Sequence, residues 1–319
     1  MKLLTVIVNF RTPDMSADAV DAAVRALEHV EGAQWSVALV DNDSQDGSYD
    51  RLLEHRETRG WSERVSVMQS GHNGGFGSGN NFAIREALAS DDPPDYVYLL
   101  NSDASPADDA IARLLTYLEQ HPAVGIAGSY IHGFDGEPHM TVFRFPSVTS
   151  ELVESLRVGP VTRALSEHVV GRPIPDEDIL VDWVAGCSMM MRREVLDAVG
   201  LFDETFFLYY EETDLCRRAA LAGFETAYVR SSHVAHIGSV STGMKTWKRM
   251  PGFWFDSRRY YFTKQHGERY FWGTTAARLV GGSLHRLRCA ITGRPVDEPK
   301  RHLRDMIAHS ARTRGTGDT

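Results

Sequence analysis

The chain has 319 residues, 42% of them hydrophobic and 24% charged, with a formal net charge of −9. This composition supports one large folded domain or two small ones and excludes a disordered chain. The acidic balance argues against polynucleotide binding, which needs a basic face.

The opening MKLLTVIVNF is too short in its apolar core for a signal peptide and lacks a cleavage site, so it reads as a first strand, residues 3–9. Four strand-then-helix units fill the first 120 residues. They pair strand 3–9 with helix 14–30, strand 35–40 with a helix from about Ser48, strand 65–69 with helix 78–89, and strand 96–100 with helix 106–120. In the first helix Val20, Ala23, Val24, Leu27 and Val30 follow the spacing of one buried stripe. In the fourth unit Ser105 is read as an N-cap and Pro106 as the first helical residue. Such alternation predicts an α/β fold with a mostly parallel sheet covered on both faces.

A further strand, VGIAGSY, follows Pro122, and residues 132–180 have too weak a periodicity for any assignment. VDWVAGCSMMMRR then predicts one buried strand, and EETDLCRRAALAG a helix with acids in its first turn and Gly223 as its C-cap. Residues 251–312 predict two or three amphipathic helices. No run of 18 apolar residues occurs, because Arg278 interrupts FWGTTAARLVGGSL, so no transmembrane helix is expected. Cys187, Cys216 and Cys289 are far apart and form no CxxC pair, which signals neither a disulfide framework nor a zinc site and fits a reducing cytoplasm. Charge is unevenly placed. From Ser257 onward 13 Lys and Arg stand against 5 Asp and Glu, leaving 21 against 38 in residues 1–256. The basic tail can touch anionic lipid at the inner face of a membrane, or serve as a homodimer face or a simple cap on the sheet.

Several stretches can carry chemistry. VDNDSQDGS ends the second strand with Asp41, Asp43 and Asp46; it is either an Asx-rich turn or a carboxylate acceptor for a pyrimidine N–H. GHNGGFGSGNN fails as a dinucleotide fingerprint, since Asn80 stands where the third glycine belongs, but it lets backbone approach a ligand or simply makes a tight turn. LLNSDAS places Asp103 after a strand's carboxyl end, as a turn residue or as one hard oxygen ligand for Mg²⁺ or Mn²⁺. In FFLYYEETDLCRRA, Glu211, Glu212 and Asp214 either complement the helix dipole or, beside large aromatics, include a desolvated base. SHVAHIGSVST offers His233 and His236, as packed residues or metal ligands.

Taken together and in order, VIVNFRT, VDNDSQDGS, NGGFGSGNN, LLNSDA, the long segment 181–224 and HIGSVST resemble the inverting glycosyltransferases of family 2 and their bacterial rhamnosyltransferase-like branch. The resemblance implies a GT-A fold with a catalytic domain over residues 1–250. Its nucleotide-binding half would be residues 1–120 and its acceptor side 121–250, followed by a basic helical extension, 251–319. It implies a nucleoside diphosphate sugar donor, with dTDP-L-rhamnose favoured, and Mg²⁺ or Mn²⁺ as cofactor. The acceptor would be a glycan, a lipid-linked sugar or a small molecule. By the same resemblance Asp41 binds the base, Asp103 and His236 hold the metal, Glu212 is the catalytic base and Glu211 supports it. The donor-facing set is Asn9, Arg11, Asp41, Asp43, Asn73, Gly74, Gly75, Asn80, Asn101, Ser102, Asp103, Trp183 and Gly186; the stretch FWFDSRRYYFTKQHGERYFW is expected to pack as a helix with Arg258 or Lys264 near the diphosphate. Two departures stand out: Asn101 replaces the first Asp of the DxD-type motif, and Glu-Glu replaces Glu-Asp.

Three rival readings fit the sequence less well. A nucleotidyltransferase wants a basic glycine-rich loop after the first strand, and NFRTPDMS has no glycine. A non-catalytic sugar-nucleotide binder has no need to retain Asp103, Glu211, Glu212 and His236 together. Aromatics alternate with bases in FWFDSRRYYFTKQHGERYFW, as in single-strand binders, but the acidic body offers no matching groove.

Overall fold

The computed structural model describes residues 1–238, 243 and 247–312. Two compact units divide the chain: residues 1–143, 171–207 and 211–242 form the first, and residues 144–170, 208–210 and those from 243 onward form the second. The helical unit therefore draws on the middle of the chain as well as its end.

In the first unit β1 (Lys2–Asn9), α1 (Pro13–Glu28), β2 (Gln34–Asp41), α2 (Ser48–Thr58), β3 (Val65–Gln69), α3 (Phe76–Leu88) and β4 (Tyr96–Asn101) alternate as the sequence predicts. The apolar stripe of α1 drives this packing. Val20, Ala23 and Leu27 are completely buried, and they join Leu3, Ile7, Val37 and Leu39 of the strands in one core. Burying a side chain of that size contributes about 1.5–3 kcal/mol, so the stripe fixes which face of the helix meets the sheet.

After β4 the structure departs from expectation. Residues 104–106 are not a helix start but a short strand, β5 (Ala104–Pro106), and α4 (Ala110–Gln120) begins only after Asp109. Pro106 is as well tolerated on an edge strand as at the head of a helix, and β5 is the last strand of its sheet. Beyond it lie β6 (Val124–His132) and β7 (Val142–Phe143).

In the second unit, the unassigned middle segment supplies α5 (Val148–Leu156) and α6 (Gly159–Ala164). Helix α5 starts on a capping box in which Ser150 takes the place of the usual Glu or Gln: Ser147 Oγ accepts from Ser150 N at 3.1 Å, and Ser147 N donates to Ser150 Oγ at 2.8 Å.

Back in the first unit, the expected single strand over VDWVAGCSMMMRR is broken. It contributes β8 (Ile179–Val181, which begins before it), β9 (Trp183–Val184) and β10 (Ser188–Arg192), separated by turns. An apolar run cannot by itself distinguish a strand from a strand that bends at Gly186. Helices α7 (Arg193–Val199) and α8 (Glu211–Leu221) and strand β11 (Glu225–His236) complete this unit. The main sheet runs β3-β2-β1-β4-β10-β6-β11-β5, with β8 on β11. It is parallel from β3 to β4 and mixed thereafter, because β10 pairs antiparallel with both β4 and β6. The expectation of a mostly parallel sheet thus holds for the first half only.

The second unit ends in α9 (Gly252–His266), α10 (Glu268–Thr292) and α11 (His302–Ser310). Its centre is a buried charge cluster. Glu151 of α5 accepts from Arg258 Nε at 3.2 Å and from Arg278 Nη1 at 2.8 Å, while Arg258 Nη1 donates to Thr275 Oγ1 at 3.1 Å. Arg258, expected beside a diphosphate, is 1% exposed and committed to Glu151, so it is a structural counter-ion. Burial pushes the Glu151 carboxyl up, but the two guanidinium groups outweigh that and hold it below its ordinary value. The cluster's contribution is therefore present above the unfolded carboxyl pKa, near 4.3, and is lost as pH falls through the depressed folded value. Glu151→Gln, which strands two buried cations, should cost about 3–5 kcal/mol in denaturant titration. A loss under about 1 kcal/mol would show that water reaches the cluster.

Candidate active site

Three strands of the first unit end at one sheet edge. Asn9 of β1 lies in register with Asp41 of β2, and Val8 with Asn101 of β4. Strand order reverses direction around β1, and the crevice at the carboxyl ends of such a switch point is where open α/β sheets take ligands.

Asp41 is 1% exposed and held from several sides. Its carboxylate accepts from Asn9 Nδ2 at 2.7 Å, from Ser44 Oγ at 2.6 Å and from Ser44 N at 3.2 Å. A carboxylate has about four acceptor positions, so roughly one remains for an incoming N–H. Asn9 in turn accepts from Ser16 Oγ at 2.8 Å and Thr12 N at 3.2 Å, which makes it a bracket for Asp41. Arg11, at φ +61°, donates its backbone N–H to Ser44 Oγ at 3.0 Å and its Nε–H to the Ser44 carbonyl at 3.3 Å. Asp43, at φ +56°, accepts from Gln45 Nε2 at 3.1 Å.

The glycine loop is tied to this end of β2. Asn42 Nδ2 donates to Asn73 Oδ1 at 3.1 Å and to the Gly75 carbonyl at 3.0 Å. Gly75 has φ +90° and ψ −171°, a conformation open essentially to glycine alone, and a Cβ there would lie 1.6 Å from the Phe207 carbonyl oxygen. Gly75→Ala should therefore lose about 1–3 kcal/mol from backbone strain alone, before the clash is counted. A thermal melt unchanged from wild type would contradict this. Gly74 leads into the turn and would meet Ser78 Oγ at 2.4 Å if it carried a Cβ. Asn80 does not join the site: it is buried, and its Nδ2 donates to the Phe76 carbonyl one turn back in α3 at 2.9 Å.

The metal-side pair is brought together by β5. His236 pairs with Ala104, and as a result its Nε2 lies 3.0 Å from Asp103 Oδ1 and 3.3 Å from Asn101 Nδ2. Gly238 N donates to Asp103 Oδ2 at 3.0 Å, and Ile237 N to the Asp103 carbonyl at 3.1 Å. Burial pushes the Asp103 carboxyl up, but His236 and the Gly238 N–H prevail and hold it below its ordinary value. Burial pulls His236 the other way, yet the Cys187 sulfur and Asp103 raise it overall. Ser102 is buried with its Oγ 3.5 Å from Thr12 Oγ1. The remaining HIGSVST positions, 239–242, lie outside the described residues.

Among the described residues no three His, Cys, Asp or Glu side chains converge as a closed metal cage. A carboxylate oxygen and an imidazole nitrogen do converge. The Asn101 amide adds an oxygen if its two ends are exchanged, an assignment that hydrogen bonding rather than observation fixes. Such an open, oxygen-rich donor set fits Mg²⁺ or Mn²⁺ whose other positions are filled by substrate oxygens and water. A cavity of about 340 Å³ bordered by Asp103, Ala104, Ser105, Met15, Phe134 and Ile237 reaches Asp103, while His236, Asp41 and Glu212 do not line it.

Glu211 and Glu212 open α8. Glu211 is buried and Glu212 half-buried, and the Oε2 atom of each has no hydrogen-bond partner. Burial, then repulsion from Glu212, drives the Glu211 carboxyl well above its ordinary value; burial likewise raises Glu212, against backbone N–H groups that include Gly186. Asp214 differs. It is fully buried and bound to Arg218 Nε at 2.8 Å, a structural pair.

The bend after β9 joins the two halves of the site. Gly186 sits against the Phe76 ring and the Glu212 carboxylate, with no room for a side chain: a Cβ would lie 2.9 Å from Phe76 Cε1. The next residue, Cys187, accepts from Asn101 N at 2.9 Å and turns its thiol toward His236. Cys187 escaped the sequence reading because it lies in no metal-binding spacing, and only the pairing of β10 with β4 brings it here. All three cysteines are buried and unbonded. Trp183 stacks on Phe143 with ring centroids 4.0 Å apart, in the small β7-β9 ribbon.

The family model of Glycosyl transferase family 2 matches residues 5–200. The chain is 30% identical over 220 residues to N-acetylglucosaminyl-diphospho-decaprenol L-rhamnosyltransferase of Mycobacterium tuberculosis, covering 65% of this chain and 68% of that one. It is 32% identical over 168 residues to rhamnosyltransferase WbbL of Escherichia coli, covering 51% and 60% respectively. In structure it is similar to the mannosyltransferase PcManGT from Pyrobaculum calidifontis, solved with GDP-Man and Mn²⁺, at a TM-score of 0.59 and 13% identity over 97% of this chain and 79% of that one. The α/β fold is thus of the GT-A type.

Proposed function

The chain belongs to glycosyl transferase family 2, and from that membership we propose that it transfers L-rhamnose from dTDP-L-rhamnose to a hydroxyl of a lipid-diphosphate-linked sugar, with inversion. One observation carries the chemistry: a half-buried carboxylate with an unpartnered oxygen, Glu212, lies against Gly186, whose chain neighbour Cys187 touches Asn101 and His236. The donor and acceptor classes are supported by the rhamnosyltransferase relatives.

In this reading Asp41, held by Asn9 and Ser44, takes the N–H of the thymine base through its open acceptor position. The loop at Asn73 to Gly75 lets main chain approach the donor closely. Asp103 and His236 are the residues that would hold a divalent cation, which would supply charge stabilisation for the departing diphosphate. Glu212 accepts the proton of the attacking hydroxyl; the raised pKa that desolvation gives it makes it the better base. Glu211, more deeply buried and with its carboxyl pushed further up by burial and by Glu212, supports the entrance to α8.

The donor assignment is tested by nucleoside diphosphate release with a lipid-linked N-acetylglucosamine acceptor. Turnover with dTDP-L-rhamnose should exceed that with GDP-mannose or UDP-hexoses at least about 100-fold, the discrimination a site built on matched hydrogen bonds provides. Equal or faster turnover with GDP-mannose contradicts it.

A further inference from the structure

Helix α10 buries one side and leaves the other apolar. Phe271, Thr274, Thr275, Gly281, Gly282 and His285 face inward. On the outer side Trp272, Val280, Leu284, Leu287 and Ile291 are 45–76% exposed. At about 100° per residue these five fall within one arc of about 120°, so the exposure is a continuous stripe along some five turns rather than scattered single residues. Scattered exposed leucines need no explanation, but a stripe of this length does.

The helix's own charges beside it are basic apart from the first residue, and Glu298 pairs with Arg286. Arg269 lies at the amino end of the same arc, and Arg286 and Arg288 flank the carboxyl half on either side, while Glu268 at the first position is the helix's only acid. Arg288 and Arg286 are anchored beside the stripe, Arg288 on the Arg157 carbonyl at 2.8 Å and Arg286 on Glu298 at 3.0 Å. No helix among the described residues is long and apolar enough to cross a membrane. An apolar stripe with a tryptophan, edged by arginines and carrying no acid within its own arc, has the chemistry of a helix lying in the plane of an anionic lipid surface. A second copy of this chain is the weaker match, since two such faces bring like charges together.

We propose that the outer face of α10 binds an anionic bilayer surface, with Trp272, Leu284 and Leu287 at headgroup depth and Arg269 and Arg288 toward the phosphates. Each such cation adds attraction that salt screens, and the apolar stripe adds a part that salt leaves intact. Binding should therefore weaken with ionic strength without vanishing. The inference is independent of which sugar the enzyme transfers.

The experiment is co-sedimentation of the full chain with vesicles of phosphatidylglycerol and phosphatidylcholine, and with phosphatidylcholine alone, for wild type and for Leu284→Glu/Leu287→Glu. Leu284 is 50% and Leu287 58% solvent-exposed, so circular dichroism and melting should be unchanged. Wild type should partition onto the anionic vesicles at least about tenfold better than onto neutral ones, and the double variant should lose at least about tenfold of that. Absent binding, binding indifferent to lipid charge, or binding unchanged in the folded variant overturns the proposal. So does a wild-type dimer in light scattering that the double variant abolishes without any vesicle binding; that result assigns the stripe to a second copy. Donor hydrolysis, which needs no membrane, separates failure here from failure of the transferase reading.

Discussion

Asp103→Asn is expected to lower kcat/KM by about 10²–10³-fold or more and to remove the metal dependence of donor binding. The substitution keeps the shape of the side chain and an acceptor for the Gly238 N–H, so the strand pairing that seats it should survive. What it removes is the negative charge that, in the proposed reading, would hold a cation beside His236. Titration of dTDP with and without Mn²⁺ is the readout. Wild type should bind more tightly with the metal, and the variant should bind equally with and without it. A variant that keeps the wild-type metal response would show that the cation is held elsewhere.

Glu212→Gln should lower kcat by about 10²–10⁴-fold while leaving donor affinity nearly unchanged, because a positioned base contributes that much and the proposed reading assigns donor binding to Asp41 and Asp103. Glu211→Gln should retain more turnover. The structure sharpens the distinction between the neighbours: Glu211 is the more deeply buried, so its proton is held more tightly and its access to an acceptor hydroxyl is poorer. The pH profile carries a second test. Burial raises the Glu212 carboxyl, and a base works only when deprotonated, so the acid limb of kcat should fall at a pH above the ordinary carboxylate value near 4.3. In Glu212→Gln that limb should disappear. If the two variants exchange behaviour, the base is Glu211.

The first half of the fold was readable because its signals are local. The stripe of α1 and the uninterrupted apolar runs of β1 and β4 specify their own burial, and carboxylates at strand ends mark the crevice without any tertiary knowledge. Pro106 shows where local signals are ambiguous, since the same residue suits a helix head and an edge strand; only pairing with Val234 in β11 decides. Arg258 and Cys187 show a different limit. A sequence shows that a guanidinium or thiol exists, but whether it faces a ligand, a buried Glu151 or a site histidine depends on partners more than a hundred or some fifty residues away. Asn80 was misplaced for a related reason: its position in a glycine-rich motif is the same whether its amide points out to a donor or back along its own helix.

The anomeric configuration of the product, read by NMR after transfer from a donor of known configuration, tests the central claim most directly. A single displacement in which Glu212 takes the acceptor proton while the diphosphate leaves the opposite face predicts a product inverted at the anomeric carbon. A product with the donor's configuration requires either a covalent glycosyl-enzyme or front-face attack, and would contradict the role assigned to Glu212 and the mechanism built on it.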